Sequence, residues 1–133
     1  MTQAGTYIVV DVGKTVSKVS LWTRDGRMID RRMRPNAACQ HNGVRCLDAD
    51  TIGVWLRTTL AAWSGHPIKA IVPVAHGAGF AAIDADGLIF PPLDYEQPVP
   101  AEVMRAYHAE RDPFAVTGSP ALPDGLNLGA QIY

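Results

Sequence analysis

Tyr7-Ile8-Val9-Val10-Asp11-Val12-Gly13-Lys14-Thr15-Val16-Ser17-Lys18-Val19-Ser20-Leu21-Trp22 is the stretch that decides the fold. Tyr7 to Val10 is a short apolar, β-branched run of the kind that forms a core strand. Asp11 places a carboxylate where that run stops, and Gly13 lets the backbone turn or another group approach closely. Val16, Val19 and Leu21 resume an apolar pattern as far as Trp22, which predicts a second strand. The tip between the strands carries an acid, a glycine, the hydroxyls of Thr15 and Ser17, and the ammonium groups of Lys14 and Lys18. Such a set suits a magnesium-bound polyphosphate: hydroxyls and backbone N–H groups meet phosphate oxygens, lysines offset charge, and the acid holds hydrated magnesium. An ordinary hairpin with a polar tip in water has the same composition. The familiar G-x-x-x-x-G-K-[ST] loop is a different device, because it leads into a helix and here a β-rich segment follows.

Working outward, Asp25-Gly26 is a turn signal, and Arg27 to Arg34 reads as a third strand. Arg24, Arg27, Arg31, Arg32 and Arg34 cluster there. With a formal net charge of −1 for the whole chain, they are read as a solvated edge strand rather than a nucleic-acid site. Pro35 to Leu47 reads as a loop broken by Asn36, Asn42 and Gly43. The two cysteines, Cys39 and Cys46, fall in it and are read as free thiols, since a zinc site needs more ligands at recognised spacing. Asp48 or Asp50 caps a helix whose apolar face is Ile52, Trp55, Leu56, Leu60 and Trp63, with Gly65 as its C-terminal cap. Ile68 to Ala75 is then a buried strand, reached by a crossover helix and therefore parallel to the first.

That strand ends at His76-Gly77-Ala78-Gly79. A histidine at the carboxyl end of such a strand points into the crevice where α/β proteins bind ligands. Its imidazole can both donate to and accept from a sugar hydroxyl, although a loop carbonyl would satisfy it equally well. Asp84-Ala85-Asp86-Gly87 makes a turn, Pro100 opens a helix running to about Glu110, and Asp112-Pro113 stops it. Thr117-Gly118-Ser119-Pro120 and Pro123-Asp124-Gly125 are loop signals. Residues 126–133 begin an apolar pattern that no polar tail closes, as in an element cut short.

The chain has 133 residues, 47% hydrophobic and 19% charged, which is the length of one globular domain with a real core. The charge balance gives no general attraction to nucleic acid or to an anionic membrane, no apolar run reaches the length of a span, and no signal peptide is evident. A cytoplasmic protein is expected.

The hairpin resembles the first phosphate loop of the actin-like ATPase and sugar-kinase superfamily, and is most similar to that of the FGGY carbohydrate kinases. Asp11, Gly13, Thr15, Ser17 and Lys18 match, while Lys14 stands where a threonine or small residue is usual. The resemblance recurs at Val74-Ala75-His76-Gly77, where histidine and glycine match a sugar-side turn of the family and its glutamine does not. The run from Gly77 to Gly87 is similar in spacing to rhamnulokinase and fuculokinase segments, and Arg34-Pro35-Asn36-Ala37 resembles a fuculokinase run. Xylulose kinase-like members are also near in pattern. At Pro92-Leu93-Asp94-Tyr95-Glu96-Gln97 the family's arginine is missing. Thr117-Gly118-Ser119-Pro120 is similar to a family segment leading into a helix. The resemblance thus spans the chain, always within the family's N-terminal part.

It implies an α/β fold of ribonuclease H-like type: a mixed sheet with an antiparallel first hairpin and crossover helices. It implies ATP-dependent phosphorylation of a ketose or deoxyketose hydroxyl. Asp11, Gly13, Lys14, Thr15, Ser17 and Lys18 would bind ATP, and Asp11 would hold Mg2+ through water. His76, Gly77, Tyr95 and Glu96 would orient the small-molecule sugar. The catalytic base, an aspartate in the family, and the C-terminal nucleotide-binding domain are expected beyond residue 133, so the chain alone is expected to be inactive. A homo-oligomer is compatible with this reading, and the alternative is a stand-alone, non-catalytic binding domain on a kinase-half fold.

Overall fold

A computed structural model describes residues 5–133. They form two compact units: the first runs to Ala37 and resumes over Asp48–His76, and the second is Ala38–Leu47 with Gly77–Tyr133.

The first unit is built on strands β1 (Thr6–Val12), β2 (Val16–Thr23) and β3 (Met28–Pro35), helix α1 (Ala49–Ala61) and a strand over Ile68–Ala75, β6 in chain order. The sheet order is β3-β2-β1-β6. β1 pairs antiparallel with β2, and β2 with β3, whereas β6 lies parallel to β1. This is the mixed sheet the sequence predicts. A parallel partner requires a crossover, and α1 supplies it. Asp48 starts that helix by accepting from the Thr51 N–H at 3.1 Å. Hydrogen bonding from Thr51, its side chain first and its N–H second, holds the Asp48 carboxyl below the usual range.

The apolar alternation of β1 and β2 explains the core. Ile8, Val10, Val19 and Leu21 point to one face and bury there with Trp63, while Trp55, Leu56 and Leu60 of α1 pack against them. Each such aliphatic side chain contributes roughly 1.5–3 kcal/mol on burial. The arginine-rich β3 is an exposed edge, as the charge pattern implies.

Two expectations need correction. β6 forms at its expected place but is not buried: it is the other sheet edge, and Ile71, Val72 and Val74 are about half exposed. An apolar run specifies a strand and leaves open how many of its faces are covered. The helix also ends earlier than Gly65, capped at Ala62. Successive turns, including Trp63 N–H to Leu60 O at 3.1 Å, then bring Trp63 into the core.

In the second unit, residues expected as loop form a hairpin of β4 (Ala38–His41) and β5 (Val44–Leu47). Asn42 and Gly43 join the strands with φ of 50° and 80°. Consecutive positive φ values make the tight turn whose twist matches an antiparallel pair, and Asn-Gly is its preferred sequence. β7 (Ile83–Asp84) and β8 (Gly87–Leu88) form a smaller hairpin, with Asp84 Oδ1 accepting from the Asp86 and Gly87 N–H groups. Helix α2 (Ala101–Glu110) follows Pro100, α3 (Phe114–Thr117) ends at Gly118 in the left-handed region, and a 3-10 turn (Asp124–Leu126) leads into α4 (Leu128–Ile132). Among the described residues, no helix is long and apolar enough to cross a membrane.

Candidate functional site

The parallel register pairs Asp11 with Val74 and Val12 with Ala75. The carboxyl ends of β1 and β6 therefore share one edge of the sheet, with Asp11 and the loop after it on one strand and His76 directly after the other. Open α/β sheets bind ligands outside that edge.

Between β1 and β2 the loop is Gly13-Lys14-Thr15. The Gly13 N–H donates to Val16 O at 3.1 Å. A Cβ on Gly13 would stand 2.8 Å from that oxygen, so the position excludes a side chain. Asn36, just past β3, holds the loop from the side. Its Nδ2 donates to Gly13 O at 2.8 Å and to Ser17 Oγ at 2.9 Å, and its N–H donates to Thr15 O at 2.8 Å.

Ser17 is completely buried, so its hydroxyl lies beneath the loop as part of this bracing. Thr15 is exposed at the tip beside Lys14. Asp11 and Lys18 are cross-strand partners, with Lys18 Nζ 3.6 Å from Asp11 Oδ2 and both side chains a little under half exposed. A pair this open is worth about 0–1 kcal/mol, so both groups can be redirected by a bound ion or phosphate. The donor set fits hydrated magnesium with a polyphosphate: an accessible carboxylate, ammonium groups and a hydroxyl beside a loop kept free of side-chain bulk at Gly13.

Gly77, Tyr95 and Glu96 belong to the second unit. Among the described residues, apart from its chain neighbours, nothing lies within 4 Å of where a Gly77 Cβ would be. Tyr95 is buried and its carbonyl accepts from the Gly125 N–H at 3.0 Å. Glu96 is exposed, and its N–H donates to Asp94 Oδ1 at 3.0 Å. Tyr95 lines a cavity of about 450 Å3 in this unit, with Asp94, Gln97, Val103, Gln131 and Tyr133. Buried Asp94 is paired with Arg45 Nε at 2.5 Å, and the Arg45 N–H donates to Gln97 Oε1 at 3.0 Å. The sequence-derived residues thus fall into two sets: Asp11, Gly13, Lys14, Thr15, Ser17, Lys18 and His76 in one unit, and Gly77, Tyr95 and Glu96 in the other.

Asn36 and the Arg45–Asp94 pair escaped the sequence reading. Asn36 sits next to a proline, the mark of a breaker, and only the β2–β3 register, which pairs Val16 with Pro35, brings it beside Thr15.

The sheet order, the parallel fourth strand and the crossover define the mixed α/β fold shared by sugar kinases and actin-like ATPases. Among solved structures, the chain is similar to a carbohydrate kinase from Novosphingobium aromaticivorans: 56% identity over 97% of this chain and 28% of that one, with a TM-score of 0.92. It is similar in fold to xylulose kinase from Rhodospirillum rubrum, at 18% identity over 83% of this chain and 25% of that one, TM-score 0.69. Gluconate kinase from Lactobacillus acidophilus gives 16% identity over 80% and 23%, TM-score 0.66. The chain therefore spans about a quarter of the length of each of these kinases. No protein-family model and no curated protein matches it.

Proposed function

We propose that the chain forms the phosphate-binding end of the N-terminal domain of an FGGY-type sugar kinase, a cytoplasmic enzyme that phosphorylates a ketose or deoxyketose with ATP. The observation that carries this reading is the shared carboxyl edge of β1 and β6, which sets the Asp11–Lys18 hairpin and His76 at one end of the sheet. The 56% identity to a carbohydrate kinase supports it.

Asp11 would hold magnesium through water, with the ammonium groups of Lys14 and Lys18 and the Thr15 hydroxyl toward the β- and γ-phosphates. Magnesium, when bound, neutralises phosphate charge, and ATP supplies the phosphoryl group. Ser17 and Asn36 keep the loop in shape from below and beside it. His76 would donate to or accept from a sugar hydroxyl, and in the second unit Gly77, Tyr95 and Glu96 are the proposed sugar-binding residues. Phosphoryl transfer depends on positioning and charge stabilisation from several sides of the transferred group. One wall of a cleft cannot supply all of them, so turnover belongs to a longer protein that also carries the base and the adenosine site.

Two measurements test this. Titration of the 133-residue chain with MgATP should shift amide signals over residues 11–18, and the Asp11→Asn variant should abolish the magnesium dependence of those shifts. The complete protein carrying this chain should release ADP only when a ketose or deoxyketose is present. A magnesium-independent response, or shifts confined to other residues, would overturn the phosphate-loop role. Sugar-independent turnover would overturn the kinase reading.

A further inference from the structure

Cys39 and Cys46 are directly opposed in the β4–β5 register. Opposed residues of an antiparallel pair project from the same face, with Cα atoms about 4.5–5.5 Å apart. That separation falls inside the range of about 4.4–6.8 Å that a disulfide spans. The Asn42–Gly43 turn fixes the register, so the thiols stay opposed. Their exposure differs: Cys39 is half-buried, while Cys46 is 1% exposed, with its Sγ 3.5 Å from Val44 O. Burial pushes the Cys46 thiol up, and the nearby Cys39 pushes it in the same direction. Cys39 is thus the sulfur a reagent reaches first, and Cys46 is the resolving partner beneath it.

We propose that Cys39 and Cys46 are a dithiol site at which a low-molecular-weight disulfide forms an intrachain bond. The Cys39 thiolate attacks one sulfur of the reagent, forming a mixed disulfide and releasing one thiolate. Cys46 then gives up its proton, and its sulfur attacks the Cys39 sulfur and displaces the second thiolate. Two protein thiols are oxidised, and one reagent disulfide is reduced to two thiols. The bond would lie in the strand that seats residues 92–94: Leu47 N–H donates to Pro92 O at 2.8 Å and Asp94 N–H to Arg45 O at 3.0 Å, with Cys46 bridged to Leu93. This site stands apart from the kinase reading and survives its failure.

The test is to treat the reduced, folded chain with excess oxidised glutathione, then count thiols and weigh the protein. Both thiols should disappear together, the mass should fall by about 2 Da, and dithiothreitol should restore both. In Cys39→Ser, Cys46 should resist the reagent until the chain is unfolded, which checks the order of attack without disturbing the buried sulfur. A stable glutathione adduct on Cys39 with Cys46 still free would overturn the proposal. So would a bond between chains, or two unreactive thiols in the folded protein.

Discussion

The side-chain amide of Asn36 donates to the carbonyl oxygen of Gly13 at 2.8 Å, joining the end of the third strand to the loop between the first two. The same nitrogen reaches Ser17 Oγ, which is fully buried. Asn36→Ala should leave both acceptors without this donor. Stranding buried polar groups costs about 1–3 kcal/mol, and the loss should appear as a lower denaturant midpoint. Hydrogen exchange should quicken at residues 13–17 more than elsewhere. An unchanged midpoint with unchanged exchange would show that the loop keeps its shape without Asn36.

Gly13 and Gly77 should respond oppositely to alanine. At Gly13 the new methyl would meet backbone, Val16 O at 2.8 Å, and backbone yields poorly. Gly13→Ala should cost about 1–3 kcal/mol and blunt the MgATP-induced shifts of the hairpin. At Gly77 nothing among the described residues stands within 4 Å of the added carbon, its chain neighbours aside, so Gly77→Ala should stay within about 0.5 kcal/mol of the parent. Paired thermal melts decide the matter, and equal losses at the two sites would refute the steric argument.

The contrast between these glycines shows what was legible in the sequence. The strand–turn–strand around Asp11, the crossover helix after Asp48 and the parallel strand before His76 follow from local pattern and chain connectivity. They form in the order and direction read, although the helix is capped at Ala62 and the parallel strand is an exposed edge. The hairpin about Asn42–Gly43 is missed in the sequence, where it reads as loop, because its flanking strands are only four residues long, although its turn residues are the preferred ones. Asn36 was not legible, because its partners lie 19 and 23 positions away in sequence and meet it only through register. For the same reason Ser17 reads as a ligand hydroxyl in sequence, while the alternation of β2 turns it inward. Arg45 and Asp94, 49 positions apart, are likewise joined only by the folded second unit.

Asp30 should give the first unit a defined acid sensitivity. Its Oδ2 accepts from Trp63 Nε1 at 3.0 Å, and this bond is the chief reason its carboxyl is held below the ordinary 3.8, with the Arg31 N–H and Arg32 adding to it. A depressed folded value means the stabilisation is complete above the unfolded value of 3.8 and fades as pH falls through the lower folded one. Tryptophan fluorescence melts should therefore decline below that pH more steeply in the parent than in Asp30→Asn, which keeps an acceptor for Trp63 but carries no charge. Asp25 and Asp48 are lowered too, so a residual slope should persist in the variant. Identical slopes would remove Asp30 from the account.

Asp94 and Arg45 should behave as one unit in a double-mutant cycle. Asp94 is 2% exposed and spends both oxygens: Oδ2 on Arg45 and Oδ1 on the Glu96 N–H. Its own N–H reaches Arg45 O at 3.0 Å. Asp94→Ala should lose a charge-assisted bond, about 1.5–3 kcal/mol, and free the turn that carries Tyr95 and Glu96. Arg45→Ala should cost at least as much, because it leaves a carboxylate out of water without its cation. The double variant should then be less destabilised than the sum of the single ones, since it removes the stranded charge along with its partner. Additive losses would mean that the ion pair, which is 45% exposed on the arginine side, is screened by water and that the backbone bonds alone hold Tyr95 in place.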